Sequence, residues 1–83
     1  MATVILIAKP KTAGDEFAGM PLKTLTKEGV TLKDGTVIDN NADFFDVLKV
    51  GDEIVVDGKG YDVERVSVIT KGIMGKVVVR AQE

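Results

Sequence analysis

The chain predicts a mainly β fold, a small β-barrel or β-roll of five to seven strands with one short helical turn, built as a single domain over residues 1–83. Three observations carry that expectation. β-branched apolar residues recur in short runs within Thr3–Ala8, Glu53–Val56, Tyr61–Thr70 and Lys76–Ala81, and such residues suit the pleated, half-buried surface of a strand. Turn sequences separate the later runs at Asp57-Gly58-Lys59-Gly60 and Lys71–Gly75, and Asp34-Gly35 supplies the backbone angles of a tight hairpin. Helical spacing of apolar residues occurs only within Ala42–Lys49, at Phe44, Val47 and Leu48.

Taken in order, Thr3–Ala8 is apolar on both alternating faces and reads as a strand with no solvent side, and Pro10 prevents it from continuing as a helix. Lys9 to Pro21 gathers two prolines and two glycines with Thr12, Asp15 and Glu16, which predicts a long mobile loop. Phe17 and Met20 are the apolar exceptions in it. Val30–Leu32 and Thr36–Ile38 flank Lys33-Asp34-Gly35 and predict a hairpin. Asp39-Asn40-Asn41 offers N-cap side chains to the helical turn that follows. From Glu53 the chain reads as a meander. Within its long strand Tyr61 and Val63 share one face whereas Val66 and Val68 share the other, so a bulge or bend is expected near Glu64-Arg65.

Composition excludes more chemistry than it suggests. An 83-residue chain holds one core. Histidine and cysteine are both absent, which removes His-assisted nucleophiles, thiol chemistry, disulfides and the usual zinc ligands, so neither catalytic nor cofactor residues are assigned. Asp43, Asp46, Asp52 and Glu53 are close in sequence, but short-range acidic pairs are common on solvated surfaces. Asp39–Asp43 begins like a calcium loop, yet Phe44 stands where the sharp turn needs glycine and Val50 where the bidentate Glu belongs; helix capping explains the same residues and no metal is expected. Gly72-Ile73-Met74-Gly75-Lys76 is too short between its glycines for a P-loop and leads into a strand, which makes it a hairpin turn. The net charge of −2, with no basic stripe beside Phe17, Phe44, Phe45 or Tyr61, does not favour nucleic acid. The apolar run Val4–Ala8 is too short for a membrane span and lacks the basic flank of a signal peptide.

The positive signal is an excess of apolar strand faces. Val4–Ile7, Ile54–Val56 and Val77–Val79 are apolar on both sides, although so short a chain has no second layer of helices to cover the outward set. Either the loop from Lys9 to Pro21 folds back over them or neighbouring protein subunits do. Candidate partner-binding residues are therefore Val55 and Val78 on the strands, Phe17 and Met20 in the loop, and Ile73 and Met74 between glycines at the hairpin tip.

The stretch Gly51-Asp52-Glu53-Ile54-Val55-Val56-Asp57-Gly58-Lys59-Gly60-Tyr61-Asp62-Val63 resembles the hairpin of small SH3-like barrels in tailed-phage virion proteins, including head-closure and head-tail connector proteins. The quoted stretch is 13 of the 83 residues, and a capsid decoration protein fits equally well. It implies a non-enzymatic subunit of a homo-oligomer or larger assembly, located in a virion, with no small-molecule substrate. Without the resemblance, the expectation is a cytoplasmic inhibitor or adaptor that binds one protein partner, and the acidic balance would suit a basic target.

Overall fold

A computed structural model describes residues 1–83. Seven strands and one helical turn follow one another as β1 (Thr3–Lys9), β2 (Met20–Leu25), β3 (Val30–Leu32), β4 (Val37–Ile38), α1 (Phe44–Val47), β5 (Glu53–Val56), β6 (Lys59–Thr70) and β7 (Met74–Ala81). All strands belong to one sheet in the order β2-β1-β7-β6-β5-β3-β4. Every neighbouring pair is antiparallel except β1 and β7, which run parallel from Thr3↔Met74 to Lys9↔Arg80.

The sheet curls but does not close into a barrel, because its hydrogen-bonded order ends at β2 and β4. Across the open seam, β1 and β2 face β3 and β5 through Leu6, Leu25, Val30 and Val56. Lys23 reaches over it to the Asp57 carboxylate at 3.3 Å. Inside the curl lie Val4 and Leu6 of β1, Ile54 and Val56 of β5, Tyr61 and Val63 of β6, and Val77 and Val79 of β7. The period-2 alternation of each strand places these residues on one concave face.

The helical turn plugs the open end of that core. Phe44, Phe45 and Leu48 are buried, with the two rings edge-to-face at 5.3 Å between centroids. Helical spacing predicts Val47 on this face, but a single turn points it outward, and Phe44 and Phe45 fill the core. Gly75 in β7 makes the seat, since a Cβ there would run into the Phe45 ring. The cap also differs from expectation, since Asp43 at the N-cap makes no side-chain cap bond. Asn41 Oδ1 instead accepts the Asp43 N–H at 2.9 Å. Asn40 is buried, accepting the Ala2 N–H at 2.7 Å and donating to the Glu28 carbonyl at 3.2 Å.

The meander and the Asp34-Gly35 hairpin form where the sequence predicts them, and the ladder between β6 and β7 shifts register between Val63 and Arg65, leaving Glu64 unpaired as the parity switch requires. Three boundaries need correction. Lys59 and Gly60 belong to β6, so the turn before it is Asp57-Gly58 alone. Lys9 belongs to β1, and Met20 and Pro21 open β2, so the loop is confined to residues 10–19. Pro21 is tolerated because β2 is an edge strand, where a missing N–H breaks no inner ladder. Met74 likewise begins β7, which leaves Lys71–Ile73 as the hairpin turn.

Candidate functional site

The outward face of β1, β7 and β6 is covered in part by the chain's own loop. Arg80 is the anchor. Its Nη1 donates to the carbonyls of Pro10 and Lys11, each at 3.2 Å, and of Ala13 at 2.7 Å. Its Nε donates to Glu64 Oε2 at 2.6 Å, and Lys9 Nζ lies 3.6 Å from Glu64 Oε1. The bulge makes this geometry: freed from the ladder, Glu64 leans over β7 toward the guanidinium. The Arg80 hydrogen bond holds the Glu64 carboxyl below its ordinary value of 4.5. The same contact, with the nearby charges of Glu64 and Asp15, pushes the Arg80 guanidinium above its ordinary value.

Beyond this anchor the loop walls one side of an open groove of about 630 Å³. Phe17 stands on the loop wall, Val78 forms the floor, and Val50 and Gly51 form the opposite wall, with Arg65 and Lys76 between them. The far wall is fixed by backbone bonds of 2.9 Å from Gly51 N–H to the Val63 carbonyl and from Val63 N–H to the Asp52 carbonyl. Val78 is 9% exposed and lies outside the main core, lining the groove with Phe17 and Ala18 of the loop.

The six residues singled out from sequence occupy four places. Phe17 and Val78 share the groove. Met20 is exposed at the start of edge strand β2. Val55 is half-buried in the cleft at the open seam. Ile73 projects from the hairpin turn, whereas Met74 is half-buried in β7. The Ile73 carbonyl accepts the Thr3 N–H at 2.7 Å, which ties the turn to the start of β1.

Sequence reasoning missed the residues that shape the groove: Arg80, Glu64, Lys9, Val50, Arg65 and Lys76. The parity switch at Glu64-Arg65 was the available signal, because a bulged carboxylate facing a cation in the following strand forms a pair across one ladder.

No group of three or more His, Cys, Asp or Glu side chains is arranged to hold a metal ion, and every buried side-chain polar atom has a partner. No helix is long and apolar enough to cross a membrane. The surface carries exposed apolar side chains and paired charges. Comparison with protein-family models, with curated proteins and with solved structures finds no match to this chain.

Proposed function

We propose that the chain is an assembly protein, a subunit that binds neighbouring protein subunits and performs no catalysis. Its setting is a virion-type structure such as a head closure, a connector or a capsid decoration. The observation that supports this most is the free end of the β6–β7 hairpin, where Val68, Ile69 and Ile73 are 50%, 59% and 60% exposed. These side chains gain little from water, and a domain this small has no other element to lay over them. The Gly51–Val63 resemblance points to the same class of protein.

Pairing Ile69→Ser with Ile73→Ser tests the proposal. Full burial of each side chain at a contact is worth about 1.5–3 kcal/mol, so removing both should reduce the native mass measured by sedimentation. Their exposure in the free chain means that the melting temperature should stay within a few degrees of the parent. A wild-type protein that sediments as an 8.9 kDa monomer at every concentration and in the presence of its co-expressed neighbours would overturn the assembly reading.

A further inference from the structure

The charges of the outer groove are divided unequally. The molecule forms three ion pairs, Lys9–Glu64, Arg80–Glu64 and Lys23–Asp57, and neither Arg65 nor Lys76 belongs to any of them. Both side chains stand in the groove beside Phe17, Val50 and Val78; of its other charges Lys9 and Glu64 pair with each other and Asp15 is the one unpaired carboxylate, so the unpaired cations outnumber it two to one. A second cleft, of about 380 Å³, lies where α1 meets β4 and has the opposite character. Exposed Val37 and Val47 line it together with Asp39, Asp43 and Asp52, and no Lys or Arg lines it. Asp52 is engaged within its own turn, accepting the Lys49 N–H at 2.9 Å, which leaves Asp39 and Asp43 without an ion pair.

We propose that the basic groove across β6 and β7 docks the acid-rimmed apolar face formed by α1 and β4 on a second copy of the chain. Arg65 and Lys76 meet Asp39 and Asp43, and Val37 and Val47 meet Phe17 and the exposed Val50. Opposite charges fix the register of such a contact, and the apolar pairs supply its dry centre. The two surfaces flank the same turn: Val50 and Gly51 line the groove while Asp52 lines the acidic cleft. A two-fold axis near that turn therefore makes both contacts at once, each groove receiving the other copy's acidic face. This rests on the assembly reading and names the neighbour as a second copy.

The test is a charge-reversal cycle read by sedimentation equilibrium. Arg65→Glu with Lys76→Glu forms one variant, and Asp39→Lys with Asp43→Lys forms the other; melting temperatures check that both fold. Wild type should form a reversible dimer that weakens as salt is raised, and each variant alone should dimerise at least about tenfold more weakly. Mixed in equal amounts, the variants should pair again, because every reversed carboxylate then faces a reversed cation. A wild-type monomer at all concentrations overturns the proposal, as does a mixture that stays monomeric although both components fold. Should either variant fail to fold, the salt response of the wild-type dimer decides, and a salt-insensitive dimer overturns the proposal. Charge variants that leave the native mass intact while Ile69→Ser/Ile73→Ser lowers it would sink the docking mode alone and leave assembly through the hairpin standing.

Discussion

Arg80 Nε lies 2.6 Å from Glu64 Oε2, and the other arm of the same guanidinium holds the carbonyls of Pro10, Lys11 and Ala13. One planar fork thus joins a bulged strand to a loop that would otherwise have no fixed place. Lysine carries an equal charge but only a single ammonium, which cannot serve the carboxylate and the carbonyls together.

Arg80→Lys should therefore free residues 10–19 while leaving the sheet intact. Amide exchange at Ala13 and Phe17 should accelerate by about tenfold or more, with Val66 and Val77 unchanged. Equal acceleration throughout the sheet would show that Arg80 supports the core and not the loop.

Acid should release the same loop. Glu64 has a depressed pKa, so its contribution is fully present above the ordinary value of 4.5 and is lost as pH falls through the lower folded value. Amide shifts of Ala13 and Phe17 followed downward from pH 6 should show a transition below about 4.5, while Glu64→Gln should show a loosened loop at every pH and no such transition. A transition that survives in Glu64→Gln would assign the effect to another carboxylate.

Asn40 ties the start of β1 to the connection before β3 through one acceptor and one donor. Asn40→Ala leaves the Ala2 N–H and the Glu28 carbonyl unpaired and should cost about 1–3 kcal/mol in urea unfolding. Asn40→Asp should not restore the loss, since aspartate cannot donate to Glu28 and brings a charge into a buried site. Full rescue by aspartate would show that only the acceptor matters.

Gly75→Ala places a methyl group against the Phe45 ring and should destabilise by about 1–3 kcal/mol through overpacking. Combining it with Phe45→Leu should recover part of that loss, because the smaller side chain opens the space. Additive losses in the double variant would mean that the two residues do not compete for volume.

Much of this architecture is legible in the sequence. The β-branched runs and the glycine turns locate six of the seven strands, and the parity switch locates the bulge between Val63 and Arg65. The edge strand β2 is hidden, because Met20-Pro21-Leu22-Lys23-Thr24-Leu25 carries a proline and takes its order from β1 more than from its own propensity. Val47 faces outward because a four-residue helix is too short for its period to decide which side faces the core. The groove is least legible. Its walls come from residues near positions 17, 50 and 78, and only the tertiary fold brings them together.

The parallel pairing of β1 with β7 sets the order in which a growing polypeptide can mature. Thr3 through Lys9 find their inner neighbour only at Met74 through Arg80. Until those residues leave the ribosome, β1 can pair with β2 alone, as an isolated hairpin with Val4 and Leu6 uncovered. Contacts so distant in sequence slow folding, and an unpaired apolar strand invites pairing with other chains. Completing β7 covers that strand, fills the core with Val77 and Val79 and delivers Arg80 to the loop.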